Sequence, residues 1–155
     1  FLERFAEAAH AGFRAVEFAF PYEFPARDVA AAATEARVEV ALFNAPPGDW
    51  DAGERGLACL PGREAEFRAG FAKALDYAQA LNCPRIHVMA GLVPAGAERA
   101  ALQATYEANL AWAAEQAQAE REAGIDLGVI ADGREHVGIE DAVVGVVEDR
   151  RLDPP

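Results

Sequence analysis

Four times in succession a helical stretch gives way to a short, almost wholly apolar run, and this alternation constrains the fold more than any other feature. Phe1-Leu2, Phe5 and Ala8-Ala9 recur at helical spacing around Glu3, Arg4 and Glu7, which predicts an amphipathic helix closed by Gly12. Ala15 to Phe20 then reads as a strand stopped by Pro21, Pro25 to Ala36 as an Ala-rich helix, and Val38 to Phe43 as a second strand. Phe67, Phe71, Leu75, Ala78 and Leu81 form one stripe of a helix over Glu64 to Leu81, followed by the strand Arg85 to Gly91. Ala97 to Ala123, carrying Leu102, Tyr106, Leu110 and Trp112, is the fourth helix, and Ile125 to Ala131 the fourth strand.

Strands apolar on both faces and separated by helices belong to parallel sheets with helical crossovers. An open doubly wound sheet and a closed eight-fold barrel both fit. No G-x-G-x-x-G or Walker glycine loop follows any strand, which weakens the nucleotide-binding open sheet. Polar residues gather just after strand ends, where barrel active sites are built. The expectation is therefore α/β, a partial (β/α)8 TIM barrel of about four β/α units. A full barrel takes about 250 residues. The first helix here has no strand before it, so the chain is expected to be a fragment or to depend on a partner for closure.

Composition narrows the partners. Among 155 residues, acidic side chains outnumber basic ones 26 to 14, for a formal charge of -12. Such a surface repels phosphate backbones, so no nucleic-acid partner is expected. Apolar stretches are short and interrupted by charges, so no membrane partner is expected either. Cys59 and Cys83 fit neither C-x-x-C nor a metal-ligand spacing and read as reduced, structural thiols. No signal peptide is visible. Cytoplasmic localisation follows as the expectation.

The connection Asn44 to Arg63 is the most informative stretch. Strand-to-helix links usually take about 2 to 6 residues, whereas this one carries four glycines, three prolines, Trp50 and several charges. A long loop at a strand's C-terminal end shapes a pocket or makes a subunit contact, the latter implying a homo-oligomer.

Here the sequence becomes recognisable. Gly12-Phe-Arg-Ala-Val-Glu-Phe-Ala-Phe-Pro-Tyr22, Asn44-Ala-Pro-Pro-Gly-Asp-Trp50, Gly53-Glu-Arg-Gly-Leu-Ala-Cys-Leu-Pro-Gly-Arg-Glu64 and Arg85-Ile-His-Val-Met-Ala-Gly91 closely resemble the hydroxypyruvate isomerase family, N-terminal half only. The related 2-oxo-tetronate isomerase group shares much of this pattern, and both are xylose-isomerase-like TIM barrels. The resemblance implies an aldose–ketose interconversion of hydroxypyruvate and 2-hydroxy-3-oxopropanoate (tartronate semialdehyde). A carboxylate would remove a proton beside a carbonyl and return it to the neighbouring carbon of an enediolate. The resemblance also implies a divalent metal, Mg or Mn, and a pair of catalytic glutamates on later strands.

Those glutamates have no match. Where the family has an Ile-Glu-Pro-Ile-Asn-like turn after Gly124-Ile125, this chain reads Asp126-Leu-Gly-Val-Ile-Ala-Asp-Gly-Arg-Glu135, so no catalytic residue and no metal ligand is assigned. Asp132 stands near the right place but is not a matching residue. The expected division is 1–127 as the N-terminal part of the isomerase domain and 128–155 as a divergent or frameshifted tail.

Four substrate-binding candidates remain. Asn44 ends a strand and can hydrogen-bond a hydroxyl or carboxylate, or else cap its own loop. Arg55 can clamp a carboxylate or fix the loop through an ion pair. Glu17, a carboxylate inside an apolar strand, calls for a partner or a raised pKa. His87 sits mid-strand, as a core histidine or a ligand contact. His10 and His136 read as surface residues, and Trp50 as cover for a pocket or interface. Two readings compete with a small hydroxy- or keto-acid isomerase. One is an inactive fragment or interaction protein. The other is a barrel nuclease, disfavoured by the charge and by only three scattered histidines.

Overall fold

The computed structural model describes residues 1–132. Its elements alternate as the sequence predicts: α1 (Glu3–His10), β1 (Ala15–Phe18), α2 (Ala26–Ala36), β2 (Glu39–Asn44), α3 (Glu64–Leu81), β3 (Arg85–Met89), α4 (Arg99–Glu122) and β4 (Gly128–Asp132). The strands form one parallel sheet in the order β1-β2-β3-β4. Each crossover returns the chain beside the strand it has just left, and right-handed connections place the intervening helices on one side of the sheet.

Helix ends follow local chemistry. Pro25 lacks an N–H, adopts ψ 139, and offers its carbonyl to the amides of Asp28 and Val29, starting α2. Asn82, left-handed at φ 49, closes α3. The fourth strand begins later than the apolar run suggests. Gly124 turns at φ 98, and the Ile125 amide reaches back to the Glu120 carbonyl at 3.0 Å, so Ile125 still belongs to the cap of α4. The sheet thus continues past residue 127 to Asp132. The remainder of the expected tail, residues 133–155, lies outside the described residues, as does His136.

Register separates the two faces of the sheet. Phe18, Phe43, Ile86 and Val129 stand in one row across all four strands, with Val16, Val40 and Val88 on the same side. Against this face pack Val29 of α2, Phe67 and Phe71 of α3, and Leu102 and Tyr106 of α4, all buried. This is the core. The other face carries Glu17, Leu42, Asn44, His87, Met89 and Ile130, and no described helix covers it. Its residues are half-buried, apart from exposed Glu17. No helix among the described residues is long and apolar enough to cross a membrane.

Candidate functional site

The C-terminal ends of β1, β2 and β3 meet at Asn44. Its amide N–H donates to the Ala19 carbonyl at 3.0 Å, and its own carbonyl accepts the Tyr22 hydroxyl at 2.6 Å. Its side chain reaches β3 twice, with Nδ2 directed at the Met89 thioether at 3.8 Å and Oδ1 at 3.1 Å from His87 Nδ1. The Asn44 amide and the His87 imidazole thus lie within hydrogen-bond distance of one another. Asn44 is therefore held from both neighbouring strands, and it holds His87 in turn.

Tyr22 secures the arrangement from below. Its ring packs against Tyr77 at 5.1 Å and Phe43 at 6.4 Å, and burial pushes its phenol well above the ordinary tyrosine range. At neutral pH the hydroxyl stays protonated and donates to Asn44. Tyr22 follows Pro21 at the end of a strand, the same kind of position that singled out Asn44, and sequence reasoning passed it over. Met89 was missed as well, because a thioether in an apolar strand carries no polar signal.

Glu17 shares this face. It pairs in register with Leu42, one inward-facing step before Asn44 and its partner His87. The expectation that Glu17 requires a partner does not hold. The side chain sits on the uncovered face and is exposed, so water solvates the carboxylate.

The long loop folds back on the end of β3. Gly56 forms an antiparallel bridge with Ala90, and the Cys59 amide donates to the Ala90 carbonyl at 2.8 Å. At Gly56, with φ 118, any Cβ would collide with the Met89 carbonyl, so only glycine allows so close an approach. Leu57, Ala58 and Cys59 are buried, and Asn109 of α4 donates from Nδ2 to the Ala58 carbonyl at 2.9 Å. Asn109 lies on the same stripe as Leu102, Tyr106 and Ala113. A buried polar residue on an apolar stripe was a legible signal of this role.

The loop's charges are largely engaged within the segment and the first turn of α3. Arg63 pairs with Glu54 at 2.7 Å and Glu66 at 2.6 Å, and Glu54 also accepts the Asp49 amide at 2.6 Å. The hydrogen bond from Arg63 and then that from Asp49 hold the Glu54 carboxyl below its ordinary value. Arg55 lies over the Trp50 ring, 3.7 Å from its centroid, and donates to the carbonyls of Trp50 at 3.1 Å and Glu54 at 2.6 Å. These contacts tie it into the loop through carbonyls and an aromatic face. Trp50 in turn meets Phe20 at 5.0 Å. A groove of about 630 Å³ lies between this loop and α3, lined by Phe20, Tyr22, Trp50, Gly70 and Lys73, but by none of the four candidate residues.

Among the described residues no three His, Cys, Asp or Glu side chains converge as a metal-binding group. Asp132 ends β4 in register with Met89, and its side chain lies outside the described residues. His10 is exposed at the end of α1, and Cys59 and Cys83 are buried, free thiols.

The profile of the xylose isomerase-like TIM barrel family matches residues 5–130. The chain belongs to that family. It is 59% identical to 2-oxo-tetronate isomerase of Cupriavidus necator over 120 residues, 77% of this chain and 46% of that protein. It is 47% identical to hydroxypyruvate isomerase of Escherichia coli over 114 residues, 74% of this chain and 44% of that protein. The crystal structure of AP endonuclease, family 2 from Brucella melitensis superposes with a TM-score of 0.76 at 42% identity, covering 88% of this chain and 52% of that one. The chain thus spans a little under half the length of the curated relatives it matches, and it resembles their N-terminal half.

Proposed function

We propose that this chain supplies the substrate-holding half of an aldose–ketose isomerase, an intramolecular oxidoreductase that interconverts hydroxypyruvate and 2-hydroxy-3-oxopropanoate through an enediolate. The observation that carries this reading is the grouping of Glu17, Asn44 and His87 on the uncovered sheet face, with Asn44 at the C-terminal end of β2 and His87 beside it in register on β3. Barrel enzymes assemble their sites at that end.

Each residue has a definable task. Asn44 and His87, fixed against one another, offer hydrogen-bonding groups to the hydroxyl and carbonyl oxygens of a small acid. Fixed polar groups position the substrate for proton transfer without reorganising during it. Glu17 meets the substrate from β1. The loop, with Arg55 stacked on Trp50, shapes the rim. Removal of the proton calls for a positioned carboxylate, worth roughly 10²–10⁴-fold in rate. The described residues contain no match to the family's paired glutamates and no group of three or more His, Cys, Asp or Glu that could hold a metal. Any Mg or Mn would take its ligands from elsewhere in the assembled enzyme. The same reading places the protein in the cytoplasm.

A second reading, 2-oxo-tetronate isomerization, is favoured by the higher identity to the Cupriavidus enzyme. A nuclease reading would borrow the name of the Brucella protein, but a chain with a net charge of -12 is poorly suited to a phosphate backbone.

The test is a chimera in which residues 1–127 replace the matching segment of the Cupriavidus enzyme, assayed with hydroxypyruvate and with 2-oxo-tetronate in the presence of Mg²⁺ or Mn²⁺. The chimera should turn over at least one of them, and His87→Gln or Asn44→Ala should lower kcat/KM by about tenfold or more. The 155-residue chain alone should show negligible turnover. A folded but inert chimera would defeat the proposal.

A further inference from the structure

We infer that Arg55, lying over the Trp50 ring, anchors the carboxylate of the substrate and makes the site select short acids over uncharged sugars. The inference rests on the proposed isomerase reading and deepens it, because Glu17, Asn44 and His87 offer no permanently charged cation to the acid group of either candidate substrate.

Strand polarity and pairing single this residue out. Arg14 directly precedes β1 and Arg85 begins β3, so both stand at the N-terminal end of the sheet. At the C-terminal end, Arg27 pairs with Asp28, Arg63 pairs with Glu54 and Glu66, and Arg68 lies over Trp112. Arg99 is exposed at the start of α4, with no orienting contact among the described residues. Lys73 lies over the Tyr22 ring in the outer groove, where Glu23, Asp49, Asp51 and Glu66 outnumber it and repel an anion. Arg55 is oriented yet has no carboxylate partner among the described residues, in a chain where acidic side chains outnumber basic ones 26 to 14.

The unused part of Arg55 fits a carboxylate. Nη1 alone donates its two hydrogen bonds, to the carbonyls of Trp50 and Glu54. Nε and Nη2, the side-on fork that grips both oxygens of a carboxylate, make none among the described residues. The Trp50 ring, its centroid 3.7 Å from the guanidinium carbon, holds the fork in place before a ligand arrives. Arg55 is only half-buried, so a ligand can reach it. Met89 links this anchor to the polar pair. The Asn44 amide meets the Met89 thioether at 3.8 Å, and the Gly56 backbone lies against the Met89 carbonyl. Arg55 directly precedes Gly56, so the anchor and Asn44 flank the same residue at the end of β3. The fork holds the carboxylate, and Asn44 with His87 meets the hydroxyl and carbonyl oxygens beyond it.

The experiment titrates the 155-residue chain with glycerate, an unreactive hydroxy acid, and with glycerol, its uncharged counterpart, while nitrogen-edited NMR follows the Arg55 Nε–H signal. Millimolar glycerate should shift that signal, and glycerol should not. Affinity in the variants is read from the Trp50 indole and Gly56 amide signals. Arg55→Gln should weaken glycerate binding by about tenfold or more. Arg55→Lys keeps the charge without the fork and should weaken it less, and Arg27→Gln should leave it unchanged. An Arg55 signal that glycerate does not move, equal binding of glycerol, or equal affinity in Arg55→Gln overturns the inference. In the chimera, Arg55→Gln should raise KM for hydroxypyruvate by about tenfold with kcat nearly unchanged, because the carboxylate takes no part in the proton transfer. An unchanged KM also overturns the anchor and leaves the isomerase reading standing. A chimera that is inert, while the chain still binds glycerate through Arg55, removes the proposed reaction and leaves the anchor.

Discussion

The loop between β2 and α3 and the uncovered face of the sheet start from similar chemistry and end in opposite states. Both carry polar and charged side chains at the C-terminal end of a parallel sheet. In the loop those groups are largely satisfied close at hand: Arg63 by Glu54 and Glu66, Arg55 by two carbonyls and Trp50, and Gly56 by the backbone of β3. On the face, Glu17 is left to water, and Asn44 and His87 are oriented rather than covered. The lesson is that a conspicuous sequence can be largely satisfied within itself, while most of the residues proposed to meet a substrate are less obvious singletons on neighbouring strands.

If that contrast is sound, substitutions in the loop should cost stability and substitutions on the face should cost little. The largest effect is expected from Gly56→Val, where a side chain must displace the Met89 carbonyl at a backbone angle that disfavours it. We expect a loss of about 3 kcal/mol in urea unfolding. A near-neutral result would mean that the loop is not fastened to β3. Next is Asn109→Ala, which leaves the Ala58 carbonyl without its buried donor and opens a small void. A cost of about 2 kcal/mol is expected, and Asn109→Leu should show whether the void or the hydrogen bond dominates. Asn44→Ala removes two side-chain contacts on the half-buried face and should cost only about 1 kcal/mol. Glu17→Gln should change stability by no more than about 0.5 kcal/mol, and a larger loss would erase the distinction between the two regions.

The smallest effect is a pH dependence. The Glu54 carboxyl is held below its ordinary value near 4.5, chiefly by Arg63. A carboxyl depressed on folding stabilises the folded chain above its unfolded pKa, and that contribution disappears as pH falls through the depressed value. The difference in stability between the wild-type chain and Glu54→Gln should therefore be present at pH 7 and shrink as acidification protonates the depressed carboxyl. A difference that grew on acidification would reverse the assigned sign.

The alternation of elements was legible because each has its own period. Phe67, Phe71, Ala78 and Leu81 mark a helix, and Val40 and Phe43 on β2, with Ile86 and Val88 on β3, mark buried strand faces. Asn44, His87 and Glu17 were legible as polar residues in or after apolar runs, but their placement on one face depends on the pairings Asn44↔His87 and Glu17↔Leu42. Register between strands that lie far apart in sequence leaves no local mark. Arg55 was equally visible, yet its contacts with Trp50 and two carbonyls arise from loop geometry that composition does not encode. The start of β4 was misjudged for a local reason, since Ile125 is apolar enough for a strand but is taken up by the α4 cap.

The sequential strand order has a consequence in time. Each described β/α unit can settle on its immediate predecessor as it leaves the ribosome. Tyr22, Asn44, His87 and the bolt between Gly56 and Ala90 all lie within the first ninety residues or so. The cluster around Asn44 can therefore form during synthesis, before β4 has been translated.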